Sequence, residues 1–167
     1  MDAKARLLNQ FLPVAVLEAL TPEARSAMPS TQCIGQFLLI RQFPCRIGRE
    51  SRVRIVNGKA ERVERPRLTS RTPNNDIYLI DQGELLNISR EHLIIERKDQ
   101  GYTMIDRGSA CGTKVGEQHI GGEDRGGSAA LKDGDVIAIG AKETPYLYRF
   151  ITFEEYTVVN KKEAEQQ

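Results

Sequence analysis

Ser89 and His92 stand three residues apart, Cys111 lies in a run of small residues, and Asp133-Gly134-Asp135 sets two carboxylates around a glycine. Each spacing has a chemistry attached. A serine near a histidine can begin a nucleophile–base pair, a thiol with a neighbouring base is a nucleophile, and clustered carboxylates hold calcium. None of these is completed. No Gly-x-Ser-x-Gly surrounds Ser89 or Ser109, so the strained turn that exposes a catalytic hydroxyl is missing. No lysine follows a suitable Gly-rich turn, which excludes a Walker-type phosphate loop. Asp133-Gly134-Asp135 lacks the further oxygen ligands of a calcium loop and reads as a tight turn. Cys33, Cys45 and Cys111, with His92 and His119, show neither CxxC nor Cys/His ligand spacing, so zinc is not expected and the thiols read as reduced. The chain reads as a cytoplasmic, cofactor-free non-enzyme.

Charge narrows the remaining chemistry. The net charge of +1 gives no global attraction to nucleic acid or membrane, so any electrostatic role must be local. Residues 49–71 supply one: eight Arg or Lys against three Glu. No aromatic residues interleave these arginines to stack bases, which argues against nucleic acid. No apolar run approaches the roughly 20 residues of a membrane span.

The elements that must position these residues fall into three stretches. Residues 1–32 read as a helical extension. Leu7, Leu8, Phe11 and Leu12 share one helix face, Val14–Leu20 continue as a second helical piece beyond Pro13, and Thr21-Pro22-Glu23 is an N-cap signature. Residues 33–153 read as an antiparallel β-sandwich of many short strands with no helix between them: 37–40, 45–47, 77–80, 92–96, 102–106, 136–139 and 146–153. Residues 98–101 form a hairpin turn with Gly101 at positive φ. Within 50–74, Asn57-Gly58 between two strand-like runs predicts a type I′ hairpin, hence a basic two-stranded arm. Residues 116–128, rich in glycine, read as a mobile loop, and 154–167 as a polar tail, frayed or helical.

Four pieces then occur in order near strand boundaries: Gly48-Arg49, Asn75-Asp76-Ile77, Ser89-Arg90-Glu91-His92-Leu93, and Asp106-Arg107-Gly108-Ser109-Ala110-Cys111-Gly112-Thr113. Leu131-Lys132-Asp133-Gly134-Asp135-Val136-Ile137 follows them. Over residues 35–153 this ordered set resembles the forkhead-associated (FHA) family, with its GR, S-R-x-H, G-S-x-N-G-T and L-x-x-G-D-x-I pieces. The resemblance implies a sandwich whose loops bind a phosphothreonine peptide. It implies a directed guanidinium pair from Arg49, a hydroxyl donor in Ser89, and a backbone or side-chain contact from Arg90. Cys111 takes the position that holds the peptide main chain. His92 is implied as a structural brace, with Gly48, Asn75, Gly108, Ser109 and Gly112 in support.

Ala110 and Cys111 depart from the pattern, which has a hydroxyl and then an amide there. Alanine has no side-chain donor and a thiol is a weak one. Losing a neutral hydrogen bond costs about 0.5–1.5 kcal/mol and one to a charged group about 1.5–3 kcal/mol. Two functions follow. The first is a phosphothreonine-dependent adaptor of bacterial type, partnered by a Ser/Thr kinase or its substrate. Arg62, Arg65 and Arg67 of the arm would form an auxiliary basic patch for acidic peptide. The second is a phosphate-independent scaffold that docks a fixed partner through the faces of the same sandwich or its N-terminal helices. For the arm by itself, the other reading is that its arginines only protect a strand edge.

Overall fold

The computed structural model describes residues 2–50, 53–62, 74–99 and 101–165. The chain begins with helix α1, Ala3–Phe11, whose first turn is capped by the Asp2 carboxylate accepting from the Ala5 N–H at 2.8 Å. Helix α2, Pro22–Ala27, starts as its sequence requires. Thr21 Oγ accepts from the Ala24 N–H at 3.1 Å, and proline occupies the first turn, where its missing N–H costs nothing.

Between these helices lies the first departure from expectation. Residues 15–19 form a strand, β1 (Ala15–Ala19), not a second helical piece. A helix of five to seven residues after Pro13 would make few hydrogen bonds of its own. As a strand the same residues gain ladders on both sides. Leu17 pairs with Leu38 of β3 (Phe37–Ile40) and with Phe150 of β14 (Leu147–Thr152). The sandwich therefore begins ahead of Cys33, and part of the expected helical extension is an interior strand of a sheet.

Two sheets face each other. The larger runs β11-β10-β13-β14-β1-β3-β2, where β2 is Cys33–Ile34, β10 Thr113–Val115, β11 Gln118–Ile120 and β13 Val136–Ile139. The smaller runs β12-β9-β8-β4-β7, where β4 is Cys45–Arg49, β7 Ile77–Leu79, β8 Leu93–Lys98, β9 Gly101–Asp106 and β12 Gly127–Leu131. Strict alternation along β9 turns one row of side chains inward. Ile47, Leu79, Leu93, Ile95 and Met104 from one sheet and Leu17, Leu38, Ile139, Tyr148 and Phe150 from the other close a single core. The fold is a β-sandwich with few short helices.

Three further expectations are corrected. The sandwich is not wholly antiparallel, because β4 and β7 pair parallel, with Ile47 opposite Ile77 and Arg49 opposite Leu79. A parallel pair needs a crossover of a dozen or more residues, and the stretch 50–76 supplies it. Residues 116–128 are not a loose loop, since they contain β11 and the start of β12. Two of their glycines serve close packing: a Cβ on Gly121 would lie 2.3 Å from the Asp106 carboxyl carbon, and one on Gly127 2.8 Å from Ile120 Cγ2. Gly101 is the first residue of β9 and does not take a positive φ.

The arm itself forms as its turn dictates. Strands β5 (Val53–Val56) and β6 (Lys59–Arg62) pair across Asn57 at φ 51° and Gly58 at φ 76°, the two positive values of a type I′ turn. Arg65, Arg67 and the side chain of Arg62 lie outside the described residues. The tail closes with helix α3, Lys161–Ala164, and is tied to α1 by reciprocal Asn9–Val158 bonds and by Asn160 donating to Asp2 at 2.9 Å. Among the described residues no helix is long and apolar enough to cross a membrane.

Candidate functional site

Arg49 ends β4, and Ser89 lies in the connection from β7 to β8. The Arg49 N–H donates to the Ser89 carbonyl at 2.9 Å, so the two residues are neighbours at one end of the sandwich. The arginine side chain is buried, with Nε donating to the Ile88 carbonyl at 2.9 Å and a terminal nitrogen to the Glu50 carbonyl at 3.3 Å. A guanidinium gripped this way has a fixed orientation before any ligand arrives.

Ser89 is half-buried, and its Oγ accepts from the Ala110 N–H at 3.0 Å. A hydroxyl carries one proton and two lone pairs, so accepting leaves the proton available to donate. This contact joins the 81–92 connection to the 107–112 loop. Arg90 is exposed, and its carbonyl accepts from Asn75 Nδ2 at 2.7 Å. Cys111 is half-buried and its thiol donates to the Leu86 carbonyl at 3.5 Å. The structure thus brings Arg49, Ser89 and Arg90 together with the loop that carries Ala110 and Cys111, while the Cys111 thiol is turned onto a neighbouring loop.

His92 is wholly buried and binds both loops at once. Nδ1 accepts from the Ser89 N–H at 2.9 Å, which fixes the tautomer with its proton on Nε2. Nε2 then donates to the Gly112 carbonyl at 2.9 Å, with Thr113 Oγ1 at 3.1 Å. Burial lowers the imidazole pKa below its ordinary 6.5, against the smaller opposing pulls of the Gly112 carbonyl and Asp106. The ring is a neutral brace with both nitrogens occupied.

Gly48 earns its place by close approach. A Cβ there would stand 2.1 Å from the Arg90 carbonyl oxygen and 2.7 Å from Asn75 Nδ2. Its φ is not positive, so the glycine answers to this close approach and not to a left-handed backbone. Asn75, buried, connects three segments: its backbone N–H donates to the Tyr78 hydroxyl at 3.2 Å, its amide to Arg90, and its Oδ1 accepts from Arg107 at 2.6 Å. In the 106–112 loop, the Asp106 carboxylate accepts from the N–H groups of Gly108 and Ser109 and from the Ser109 hydroxyl at 2.5 Å. Ser109 Oγ in turn accepts from the Gly112 N–H at 2.9 Å, so Gly108, Ser109 and Gly112 shape the loop from within.

Several supporting residues carry no distinctive sequence signal. Asp81 is the main one. Its Oδ2 accepts from Asn87 N at 2.7 Å and Ile88 N at 3.0 Å, and its Oδ1 from Gly83 N at 3.0 Å and the Tyr146 hydroxyl at 2.6 Å. Burial would raise its pKa, yet these bonds outweigh burial and hold it below the ordinary 3.8. By fixing Ile88, Asp81 fixes the carbonyl that grips Arg49. The Asp81-Gln82-Gly83 turn signature was the only available hint. Arg107 also ties Asn75, the Asn74 carbonyl and Glu91 together; nothing in its spacing marks it.

A family model described as FHA domain matches residues 45–140. A solved structure of Mycobacterium tuberculosis EmbR in complex with a low affinity phosphopeptide is similar to this chain at 19% identity and a TM-score of 0.47, covering 94% of this chain and 29% of that one. The chain therefore spans less than a third of that protein's chain. No curated protein matches it.

Proposed function

Because the chain belongs to the FHA domain family, we propose that it is a phosphothreonine-peptide-binding adaptor module in Ser/Thr kinase signalling, a recognition unit and not an enzyme. One observation carries this proposal. Arg49 and Ser89 sit one backbone hydrogen bond apart, and the Ser89 hydroxyl already accepts from Ala110, so its proton is left to donate. A held guanidinium beside a hydroxyl donor suits a doubly charged phosphate, which takes charge-assisted hydrogen bonds on several oxygens. Arg90, exposed beside them, adds charge at the rim. Cys111 contributes a loop contact near the peptide, and Gly48, Asn75, His92, Gly108, Ser109 and Gly112 hold the loops in register.

The module is the sandwich, with 50–74 as an inserted arm and 154–167 as a tail. The arm leaves from Arg49 and returns at Asn74, whose carbonyl Arg107 holds at 3.1 Å, so both of its ends are anchored beside the site. Its surplus of basic residues, including Arg62, Arg65 and Arg67, supplies long-range attraction for an acidic phosphopeptide. The ligand is a threonine-phosphorylated protein, the kinase itself or its substrate.

A phosphothreonine-peptide library probed with wild type, Ser89→Ala and Arg49→Ala tests this function. Because Arg49 is buried, Arg49→Lys is carried alongside, with circular dichroism to verify folding. The expected result is binding that disappears on dephosphorylation and with Arg49→Ala, and weakens about tenfold with Ser89→Ala, the loss of one hydrogen bond to a charged group. A partner retained equally by folded Arg49→Ala and after phosphatase treatment would instead establish the phosphate-independent scaffold.

A further inference from the structure

Helix α1 is fixed in place by polar bonds while its apolar side faces water. Asp2 caps its first turn, Asn9 exchanges hydrogen bonds of 3.2 and 2.9 Å with Val158 of the tail, and Arg41 donates to the Phe11 carbonyl. Of its nine residues only Ala5 is buried. Leu7, Leu8 and Phe11 are 54%, 52% and 65% exposed, and Leu12, just past the helix, 42%. Lys4, Leu7, Leu8 and Phe11 recur at i, i+3, i+4 and i+7, so they form one stripe. A helix this short is marginal by itself and is normally stabilised by burying such a stripe.

Charge and order along the stripe point to what covers it. Residues 2–12, Arg41 and the tail 154–167 carry five Lys or Arg against five Asp or Glu. That balance gives an anionic lipid surface no surplus cation to attract. With +1 over the whole chain, two copies do not repel each other. The stripe itself has one charge at its start and one aromatic ring at its end. Antiparallel pairing about a two-fold axis sets Leu7 of each copy against Leu8 of the other and lays each Lys4 over the other copy's Phe11 ring. The two Lys4 side chains then stand at opposite ends. The four exposed apolar side chains offer roughly 400 Å², about half of what each partner gives to a standard interface, so such pairing depends on concentration.

We propose that the α1 stripe is a self-association surface and that its occupant is α1 of a second copy, packed antiparallel. Strand β14 starts at Leu147, opposite Ala138 and close to Gly140, whose N–H donates to the Gly112 carbonyl of the site loop at 2.9 Å. It ends at Thr152, which pairs with Ala15, the first strand residue after α1. The helix therefore lies at the end of the sandwich away from Arg49 and Ser89. Pairing through it leaves both phosphate sites open, and it stands independently of the phosphothreonine function.

Sedimentation velocity of the full chain from about 1 to about 500 μM tests the pairing. Wild type is expected to pass from the mass of one chain to that of two. The double variant Leu7→Glu/Leu8→Glu, changed only at exposed positions and checked by circular dichroism, is expected to keep the mass of one chain throughout. Phe11→Lys sets a like charge against the second copy's Lys4 and is expected to weaken pairing at least about tenfold. Adding Lys4→Glu to Phe11→Lys is expected to recover part of that loss, because the introduced charges then attract across the axis. A wild type that stays single over the whole range would overturn the proposal, as would a dimer that persists in folded Leu7→Glu/Leu8→Glu. Absence of recovery in the Lys4→Glu/Phe11→Lys chain would overturn the antiparallel register. A chain that stays single yet binds phosphatidylcholine–phosphatidylglycerol vesicles, and loses them with Leu7→Glu/Leu8→Glu, would assign the stripe to lipid instead.

Discussion

Ser89 uses three of its groups on three different partners: its carbonyl on Arg49, its N–H on the His92 ring, its hydroxyl on Ala110. That economy makes the histidine's protonation state matter. Protonated Nδ1 could no longer accept from the Ser89 N–H, and the charge would be wholly buried. The folded pKa lies below the ordinary 6.5, so below pH 6.5 the unfolded chain binds a proton that the folded chain resists. His92 therefore contributes its full stability above that pH, and the contribution falls away as pH drops through the interval down to the folded value. Asp76, lowered by its bond from Arg46, and Asp81 behave as ordinary depressed carboxylates, whose contribution is lost only below their reference 3.8. Thermal melts at pH 7.5, 6.5 and 5.5 should show a falling midpoint, flattened in His92→Gln. A flat wild-type profile across that range would contradict a neutral brace. The motif made Arg49, Ser89 and His92 legible in the sequence. Asp81 and Arg107 were not, because their partners are backbone groups and distant side chains that no spacing reveals.

The strands and turns that carry these residues succeed through close approach. Gly48 lies within β4, and the segment bearing Arg90 crosses it at a distance no side chain allows. Gly48→Ala should cost about 1–3 kcal/mol, the range for forcing extra volume into packed structure, and should weaken phosphopeptide binding because Arg90 and Asn75 must move. Gly101→Ala is the control, since Gly101 has no positive φ and open space around its Cβ position. Urea denaturation of both variants measures the difference, and equal midpoints would show that the approach at Gly48 is not limiting. Where local chemistry decides, as at Thr21-Pro22 and Asn57-Gly58, sequence pattern and structure agree. The sequence misled where tertiary pairing overrides a local pattern. Val14–Leu20 has helix-compatible residues but gains more from two neighbouring strands, and Gly121 marks tight packing on Asp106, not looseness.

Taken as a molecule, the chain gathers Arg49, Ser89 and Arg90, the proposed phosphate contacts, at one end of a sandwich whose core is supplied by both sheets. The N-terminal strand lies between β14 and β3, and the tail folds back onto α1, so segments remote in sequence stabilise the platform that holds the loops. Composition indicated a single domain with extensions, and strand patterning indicated the sandwich. Neither disclosed the parallel β4–β7 pair, which arises because the arm is long enough to carry the chain back in the same direction. An NMR titration of the isotopically labelled full chain with a library-selected phosphothreonine peptide tests the central claim most directly. The amides of Arg49, Ser89, Arg90 and Ala110 should shift in a saturable way, and the unphosphorylated peptide should leave them unmoved. Shifts centred on other residues, or equal shifts from both peptides, would contradict a phosphate site between Arg49 and Ser89.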